Sequence, residues 1–393
     1  MSDDARERGP RVTAVLRGET ETVMPLELFF DLVFVLAITQ CTALMAHEPT
    51  WRGLGKGLLV LGILWWSWVG YAWLTSVVDP EEGVVRIVLF AAMAALLVVA
   101  LCVPHAFGDD ALLFALAYAF VRAAHIALFA LASRYDATLR RSVTALAGSS
   151  AVGVAALVVG GALGGVPQAV LWTAALLFDM AGPYFFGADG WKLVPGHFAE
   201  RHGLIVLIAL GESIVAIGAG ADVAIDAEVV VGAVLGMTIA AALWWVYFDV
   251  TALVAARRLE NATAGRERNE VARDAFSYLH FPMVAGIVLV ALGLKKALGH
   301  VTDDLATVPA VALLGGTALY LLAHVAFRLR NVRRFSRERT VAAAVCLALV
   351  PVATSVSALV LVSALAAVLV VLIAIERRRF VELRGRVRAH RGG

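Results

Sequence analysis

The chain has 393 residues, of which 61% are hydrophobic and 16% are charged, with a formal net charge of +2. Because soluble domains carry roughly 45–50% apolar and about 25% charged residues, this composition excludes an ordinary soluble protein and predicts a polytopic membrane protein. The arginines flank apolar segments without a recognition module, so the sequence predicts no nucleic-acid partner.

The sequence predicts an all-α, polytopic transmembrane helical bundle, since a helix that crosses a bilayer needs about 20 mostly apolar residues. In chain order, the predicted spans are 26–47, 56–78, 84–104, 111–133, 141–163, 167–187, 201–220, 228–255, 274–297, 306–328, 340–356 and 358–376. The last two come from one apolar run, which fits either a tight helical hairpin or a single kinked helix. The predicted organisation begins with a cytoplasmic N-terminal tail at 1–25 and a first six-helix repeat at 26–187. A linker at 188–202 leads to a second six-helix repeat at 203–376, and a basic cytoplasmic tail follows at 377–393.

Positively charged residues support twelve crossings and set the orientation. If the N-terminus is cytoplasmic, 28 of the 33 Lys and Arg residues fall on the cytoplasmic side. Cytoplasmic loops of membrane proteins are enriched in these residues. We therefore predict a multi-pass plasma-membrane protein, surrounded by the lipid bilayer, with both termini in the cytoplasm.

Short motifs repeat in the same order along the two halves of the chain. The Trp pair that ends at Trp66 recurs at Trp245, and the Ala-His pair that ends at His125 recurs at His324. Twelve spans with this order predict two parallel repeats, related by an axis near the membrane normal. The alternative is chance similarity between membrane helices that are rich in Trp and Ala.

Four segments stand out in and beside the apolar runs: PLELFFDLVFVLAITQ, WWSWVGYAWLT, HFAERHGLIVLIALGESIVAIG and YLHFPMVAGIVLVALGL. In them the chain resembles the low temperature requirement A family of bacterial membrane proteins, from about residue 20 to 376. The resemblance implies a polytopic protein of the bacterial plasma membrane and no particular biochemical activity. The segment FFDLVFVLAIT is also similar to the F-S-D segment of an endolysosomal and bacterial potassium/proton channel family. Phe30 stands where that motif has serine, so a gating role does not carry over.

Two acids lie four residues apart in the first predicted span. Glu27 and Asp31 project from one helical face, although an ionisable group near the bilayer centre costs roughly 2.5–3.5 kcal/mol on insertion scales. One interpretation is a cation or proton relay; the other is a structural ion pair, most simply between Asp31 and Arg122. The repeat predicts that Glu212, with its neighbour Ser213, lies opposite Asp31 in a shared hydrated pathway. The alternative for Glu212 is a packed, hydrogen-bonded helix crossing, since small residues adjoin it.

Further polar residues complete the predicted pathway set: His125, Asp179, Asp249, His280 and His324. Arg122 and His125 share a helix face, which fits either a buried counter-ion with a hydrogen-bonded imidazole or a pair that binds an anion or shuttles a proton. Axial binding of a haem by His125 and His324 is an alternative, but no attachment sequence accompanies them, so no cofactor is predicted. The polar residues at 200–202 are predicted to form a salt bridge at the membrane interface.

Three classes of function are compatible with these patterns. Twelve spans, two halves and intramembrane acids favour a channel or secondary transporter for protons, monovalent cations or a small solute. A non-catalytic membrane scaffold or sensor is the main alternative. A membrane-embedded lipid-modifying enzyme is less favoured, because no D-x-x-D or H-E-x-x-H motif is present and no catalytic or metal-binding residue is predicted. A homo-oligomer is compatible with all three.

Overall fold

The computed structural model describes residues 22–185, 189–221 and 226–379 of the chain. Over these residues the fold is all-α, with helices joined by short connections and no β-strand. The predicted fold class, an all-α polytopic helical bundle, is therefore confirmed. The predicted tails fall almost wholly outside the described residues.

The first half of the bundle contains six helices, and each coincides with one predicted span. They are α1 Pro25–His47, α2 Trp51–Thr75, α3 Gly83–Cys102, α4 Ala111–Ala132, α5 Ala137–Leu163 and α6 Gly165–Phe185. The agreement follows from composition, because each helix contains one mostly apolar run of about 20 residues.

The second half is more broken. Its helices are α7 Pro195–Gly220, α8 Ala227–Phe248, α9 Thr251–Glu260, α10 Arg266–Val271, α11 His280–Gly299, α12 Thr307–Val332, α13 Arg337–Leu349 and α14 Ala358–Arg379. A π-helical turn, Ala272–Tyr278, joins α10 to α11. A 3₁₀ turn around Pro351 separates α13 from α14, so the last apolar run is a hairpin of two helices.

Ten helical segments within the described residues are long and apolar enough to cross a membrane. Helices α6 and α13 are not among the ten. Helix α13 has 13 residues, about 20 Å at 1.5 Å per residue, whereas the hydrocarbon core is about 30 Å thick. A multi-pass membrane protein is thus established, and the count of twelve crossings stays a prediction.

The helices of the two halves have the same pattern of neighbours. In the first half α1 packs against α2 and α3, α3 against α4, α4 against α5, α5 against α6, and α6 returns to α2. In the second half α7 packs against α8 and α11, α11 against α12, α12 against α13, α13 against α14, and α14 returns to α8. The pattern agrees with the predicted repeat, which superposition of the halves would test. Helix α1 joins the halves through its contacts with α7 and α11.

Candidate functional site

Four ionisable side chains meet near the N-terminal ends of α1 and α7. Arg201 donates hydrogen bonds from Nη2 to Asp31 Oδ1 at 2.5 Å and from Nη1 to Glu27 Oε1 at 3.2 Å. His197 Nε2 lies 2.9 Å from Glu27 Oε1 and 3.0 Å from its Oε2. All four residues are at most 1% exposed. We call Glu27, Asp31, His197 and Arg201 the ion-pair cluster.

The cluster residues occupy matching positions in two matching helices. Both α1 and α7 begin at a proline, which suits the first position of a helix because its missing N–H would have no helical partner there. The cluster residues are the third and seventh residues of each helix. Since four residues make about one turn, both side chains of a helix project from one face. The acidic face of α1 therefore meets the basic face of α7.

Helix α2 closes the ion-pair cluster from a third side. Trp68 Nε1 donates a hydrogen bond to Asp31 Oδ1 at 2.9 Å, and Arg201 Nη1 donates one to Thr75 Oγ1 at 2.8 Å. The guanidinium carbon of Arg201 lies 5.7 Å from the centre of the Trp68 ring, within the range of a cation–π contact. Asp31 Oδ2 is buried and accepts no hydrogen bond from a described residue. The cluster thus joins α1, α2 and α7 but leaves one carboxylate oxygen unpaired.

The charges of the ion-pair cluster do not cancel when its histidine is neutral. Among the described residues, two ionised carboxylates then face one guanidinium, an excess of one negative charge within the cluster. A proton on His197 or on either carboxylate would remove that excess. The cluster can therefore exist in two charge states that differ by one proton.

The predicted partner of Asp31 was wrong: Asp31 binds Arg201, and Arg122 lies in another site. The salt bridge predicted at residues 200–202 involves Arg201, which pairs with the acids of α1, and its depth relative to the membrane interface stays a prediction. Arg201 and His202 are fully buried within the protein. The physical reason is that α7 begins six residues earlier than the predicted span, so Arg201 lies in its second turn. Glu200 accepts a hydrogen bond from the Val23 backbone N–H at 3.2 Å.

A second site lies between α2, α4, α5 and α6. Arg122 donates a hydrogen bond from Nη2 to Ser150 Oγ at 2.5 Å, and the same nitrogen lies 3.8 Å from Asp179 Oδ2. A Cβ added to Gly70 of α2 would lie 3.0 Å from His125 Nε2 and 3.2 Å from Arg122 Nη1. The absence of a side chain at Gly70 thus lets Arg122 and His125 approach α2 closely. Three residues of the predicted pathway set, Arg122, His125 and Asp179, thus lie together here, and their role stays a prediction.

These side chains line a cavity of about 90 Å³, which we call the first-half cavity. Its polar side carries Arg122, His125 and Asp179, and these residues are at most 7% exposed. Its apolar walls are aromatic side chains: Trp66, Trp73, Phe129 and Trp191. Neither ring nitrogen of His125 has a hydrogen-bond partner among the described residues, and the same holds for Arg122 Nε. The cavity therefore combines buried donors that lack partners with flat apolar walls.

The linker after α6 is fastened beside this cavity. Lys192 Nζ lies 2.7 Å from Asp136 Oδ2, and Ser142 Oγ donates a hydrogen bond to the Asp189 carbonyl oxygen at 2.9 Å. The hydrogen bond from Lys192, followed by one from the Leu139 N–H, holds the pKa of Asp136 below its usual value. These contacts tie the linker to the start of α5, next to the wall of the cavity.

The second half has a related arrangement. The ring centres of Tyr247 and Tyr320 lie 5.8 and 4.5 Å from His324, whose two ring nitrogens have no partner in the described part of the chain. Arg339 binds both oxygens of Glu376, at 2.7 and 3.1 Å. A cavity of about 300 Å³, the second-half cavity, is lined by residues that include Trp245, Asp249, Phe327, Arg328, Arg339 and Glu376.

The remaining predicted histidine, His280, has hydrogen-bond partners at both ring nitrogens. The alternative of a haem between His125 and His324 is not supported. His280 Nε2 lies 2.8 Å from Tyr247 Oη and its Nδ1 lies 3.0 Å from the Ala275 carbonyl oxygen. His125 contacts aromatic rings of α2 and α4, whereas His324 contacts rings of α8 and α12, so the two imidazoles occupy separate sites. Within residues 22–185, 189–221 and 226–379, no group of three or more His, Cys, Asp and Glu side chains is placed to hold a metal ion.

Glu212 does not face Asp31. Thr39 Oγ1 of α1 donates a hydrogen bond to Glu212 Oε2 at 2.5 Å, and Glu212 is 2% exposed. Thr39 lies eight residues beyond Asp31, which is about 12 Å along the helix. Ser213 is fully buried, and its hydroxyl has no partner among the described residues. The prediction that Asp31 and Glu212 face each other in a shared pathway was therefore wrong in geometry. Asp31 contacts Arg201 of α7, whereas Glu212 contacts α1 at Thr39, at a different depth.

Comparison with known proteins gives a family and no activity. The family model described as bacterial low temperature requirement A protein (LtrA) matches residues 22–374. An uncharacterized protein of Rhizobium meliloti (strain 1021), RA0937, is 31% identical over 316 residues, which cover 77% of this chain and 76% of that protein. No solved structure shows a significant match to the chain.

Proposed function

The chain belongs to the bacterial low temperature requirement A family, and from that premise we propose that it is a proton-coupled secondary transporter of a small solute. The proposal places it in the bacterial plasma membrane with both termini in the cytoplasm. It assigns no enzymatic reaction and no catalytic residue. The observation that carries the proposal is the ion-pair cluster, which joins the first helix of one half to the first helix of the other.

Burial of the ion-pair cluster favours a transporter over an open cation channel. A carboxylate that lines a hydrated pore is exposed to water, which reduces the cost of its charge. Glu27 and Asp31 are instead excluded from water and bound to Arg201. Carriers differ from open pores in that their ion-binding groups are accessible in only some of their conformations.

Protonation supplies a physical means of coupling. A proton on Asp31 removes the attraction that its carboxylate exerts on Arg201, and so weakens one of the contacts that hold α1 to α7. Among the described residues, three further ionisable groups lie beside Asp31 and Arg201: Glu27 and His197 of the cluster, and His202 of α7. Each would share the proton or repel it. A proton can shift an equilibrium between two conformations only if it binds them with different affinities. A cluster that is intact in one conformation and open in another meets that condition.

Reconstitution in liposomes tests the proposal. Vesicles that contain a pH-sensitive dye receive an imposed proton gradient, followed by a defined panel of small carboxylates, amino acids and sugars. We expect at least one solute to accelerate proton entry with the wild type, and we expect Asp31→Asn and Glu27→Gln to abolish the acceleration. Lys56→Gln is the matched control, because Lys56 forms a peripheral ion pair with Glu48 at 2.8 Å.

The other outcomes separate the competing functions. Potassium flux without any solute, blocked by the same two substitutions, would replace the transporter with a channel. If folded wild-type protein in verified orientation moves neither ions nor any solute of the panel, the scaffold or sensor takes the place of the transporter. In that case the ion-pair cluster has only the structural role of holding α1, α2 and α7 together.

A further inference from the structure

The strongest unexplained feature of the molecule is the set of unpartnered donors around the first-half cavity. His125 is 1% exposed, and its ring nitrogens make no well-formed hydrogen bond to a described residue, although the backbone of Gly70 lies beside the ring. Arg122 is 2% exposed, and its Nε also lacks a partner in the described ranges. Because buried polar groups in native proteins nearly always have a hydrogen-bond partner, such a concentration of unpartnered atoms points to a ligand.

We propose that the first-half cavity binds a small monocarboxylate that carries one flat apolar ring. The carboxylate lies on Arg122 and His125, and the ring lies among the aromatic walls. A guanidinium group presents N–H donors in a planar fork that matches the two oxygens of a carboxylate. Flat rings pack well against indole and phenyl faces, which the walls supply.

The charges of the cavity favour a monoanion. The second arginine of its lining, Arg273, is already paired with Asp274 at 2.7 Å, so Arg122 is the guanidinium left for a ligand. Asp179 Oδ2 lies 3.8 Å from Arg122 Nη2, so one negative charge already stands beside the guanidinium. A phosphate dianion would bring two further negative charges next to that carboxylate. A single carboxylate brings one and leaves the guanidinium shared between two acids, as Arg201 is shared in the ion-pair cluster.

The volume of the cavity limits the apolar part of the ligand. The first-half cavity measures about 90 Å³, whereas an engineered apolar cavity of about 150 Å³ in another protein binds benzene. Because this cavity is smaller than the benzene-binding one, a single ring is the upper limit for the apolar part of the ligand, and the aromatic walls must move apart to admit it together with its carboxylate.

Helix α2 forms a wall of both this cavity and the ion-pair cluster. Trp66, Gly70 and Trp73 recur at intervals of four and three residues and line the cavity. Trp68 and Thr75, seven residues apart, hold the ion-pair cluster. A ligand in the cavity would thus lie one helix away from the groups that carry the proton. The identification of this ligand with the transported solute rests on the proposed function, whereas its binding does not.

Binding to the purified, detergent-solubilised full chain tests the inference, with isothermal titration calorimetry as the measurement. The probes are benzoate, benzyl alcohol, which lacks the charge, and acetate, which lacks the ring. We expect benzoate to bind at least tenfold more tightly than either of the others, a difference of at least 1.4 kcal/mol. Benzyl alcohol also corrects for partition of an aromatic compound into the detergent.

Two substitutions and two controls locate the binding site. We expect His125→Gln and Gly70→Ala each to weaken benzoate binding at least fivefold, because the first changes the donor set and the second pushes a methyl group against Arg122 and His125. His324→Gln replaces a buried imidazole of the second half, and Gly148→Ala adds a methyl group where no atom lies within 4 Å. Both controls should bind benzoate like the wild type.

Several results would overturn the inference. They are absence of benzoate binding by folded wild type, equal binding of benzyl alcohol, and unchanged affinity in folded Gly70→Ala. If His125→Gln does not fold, Gly70→Ala still decides, because it changes no charge. Benzoate binding without proton-coupled flux would retain this site and remove the transporter, whereas proton-coupled flux without benzoate binding would do the reverse.

Discussion

Substitution of Arg201 should destabilise the protein more than any neutralisation of its acidic partners. Arg201→Gln leaves Glu27 and Asp31 facing each other, out of contact with water and without the guanidinium. Asp31→Asn instead leaves one guanidinium beside one carboxylate. The asparagine oxygen can still accept the hydrogen bonds that Arg201 and Trp68 donate at 2.5 and 2.9 Å.

The expected sizes follow from these contacts. Removal of one partner from a buried ion pair costs about 3–5 kcal/mol in general. Conversion of one hydrogen bond between charged groups to a weaker one costs at most the ~1.5–3 kcal/mol assigned to such a bond. The middles of the two ranges differ by about 2 kcal/mol, so we expect Arg201→Gln to lower the free energy of unfolding by about 2 kcal/mol more than Asp31→Asn does. A triple variant with Arg201→Gln, Asp31→Asn and Glu27→Gln should recover part of the loss, because neither carboxylate then stays buried without the guanidinium.

Unfolding by sodium dodecyl sulfate in mixed micelles, followed by circular dichroism, measures these differences. Lys56→Gln serves as the control, since its ion pair lies at the periphery and such pairs contribute about 0.2–1 kcal/mol. The reasoning fails if Arg201→Gln costs no more than Lys56→Gln. It also fails if the triple variant is less stable than Arg201→Gln alone.

Three further predictions concern packing, the second acid and orientation. Gly316→Ala should cost about 1–3 kcal/mol of unfolding free energy, because its Cβ would lie 2.6 Å from a side chain of α11. Gly315→Ala should cost far less, since the nearest atom to its Cβ would lie at 3.6 Å. Equal stabilities of the two variants would contradict this prediction. In the same unfolding assay, Thr39→Val should destabilise more than Glu212→Gln, because only the first takes a hydrogen-bond donor away from a buried carboxylate. The opposite order would exclude an ionised Glu212. Reporter fusions in the loop between α1 and α2 and at the C-terminus should report opposite sides of the membrane, and an external C-terminus would refute the predicted orientation.

The helices could be predicted closely because a membrane helix depends mainly on the length and hydropathy of one continuous stretch of the chain. An apolar run of sufficient length must form a helix in a bilayer, where every backbone polar group needs an internal partner. The predicted span 111–133 thus corresponds to α4 Ala111–Ala132, and the span 26–47 to α1 Pro25–His47. The hairpin after α12 was left open, since a proline in an apolar run fits either a kink or a turn.

The partners of the buried charges could not be predicted from hydropathy. Asp31 and Arg201 are 170 residues apart, and the sequence specifies neither which helices touch nor how each is rotated. The polar run at the start of α7 resembles an interfacial segment, so residues 200–202 predict a salt bridge at the membrane interface and not a partner for the acids of α1. One signal was present in the sequence: a proline followed by ionisable residues at helix positions three and seven occurs twice, with opposite charge. Alignment of the halves on those prolines would have paired Asp31 with Arg201 instead of Glu212.

The two acids of α1 are tolerated because the other half of the chain supplies their partners. Each carboxylate bonds to a basic side chain of α7, and α2 adds a donor and an acceptor. The same arrangement constrains movement, since α1 cannot separate from α7 without exposing or neutralising these charges. Ion pairs inside one half would allow the halves to move as rigid bodies at no electrostatic cost. Ion pairs between the halves make any relative motion depend on the charge state, and a single proton can change that state.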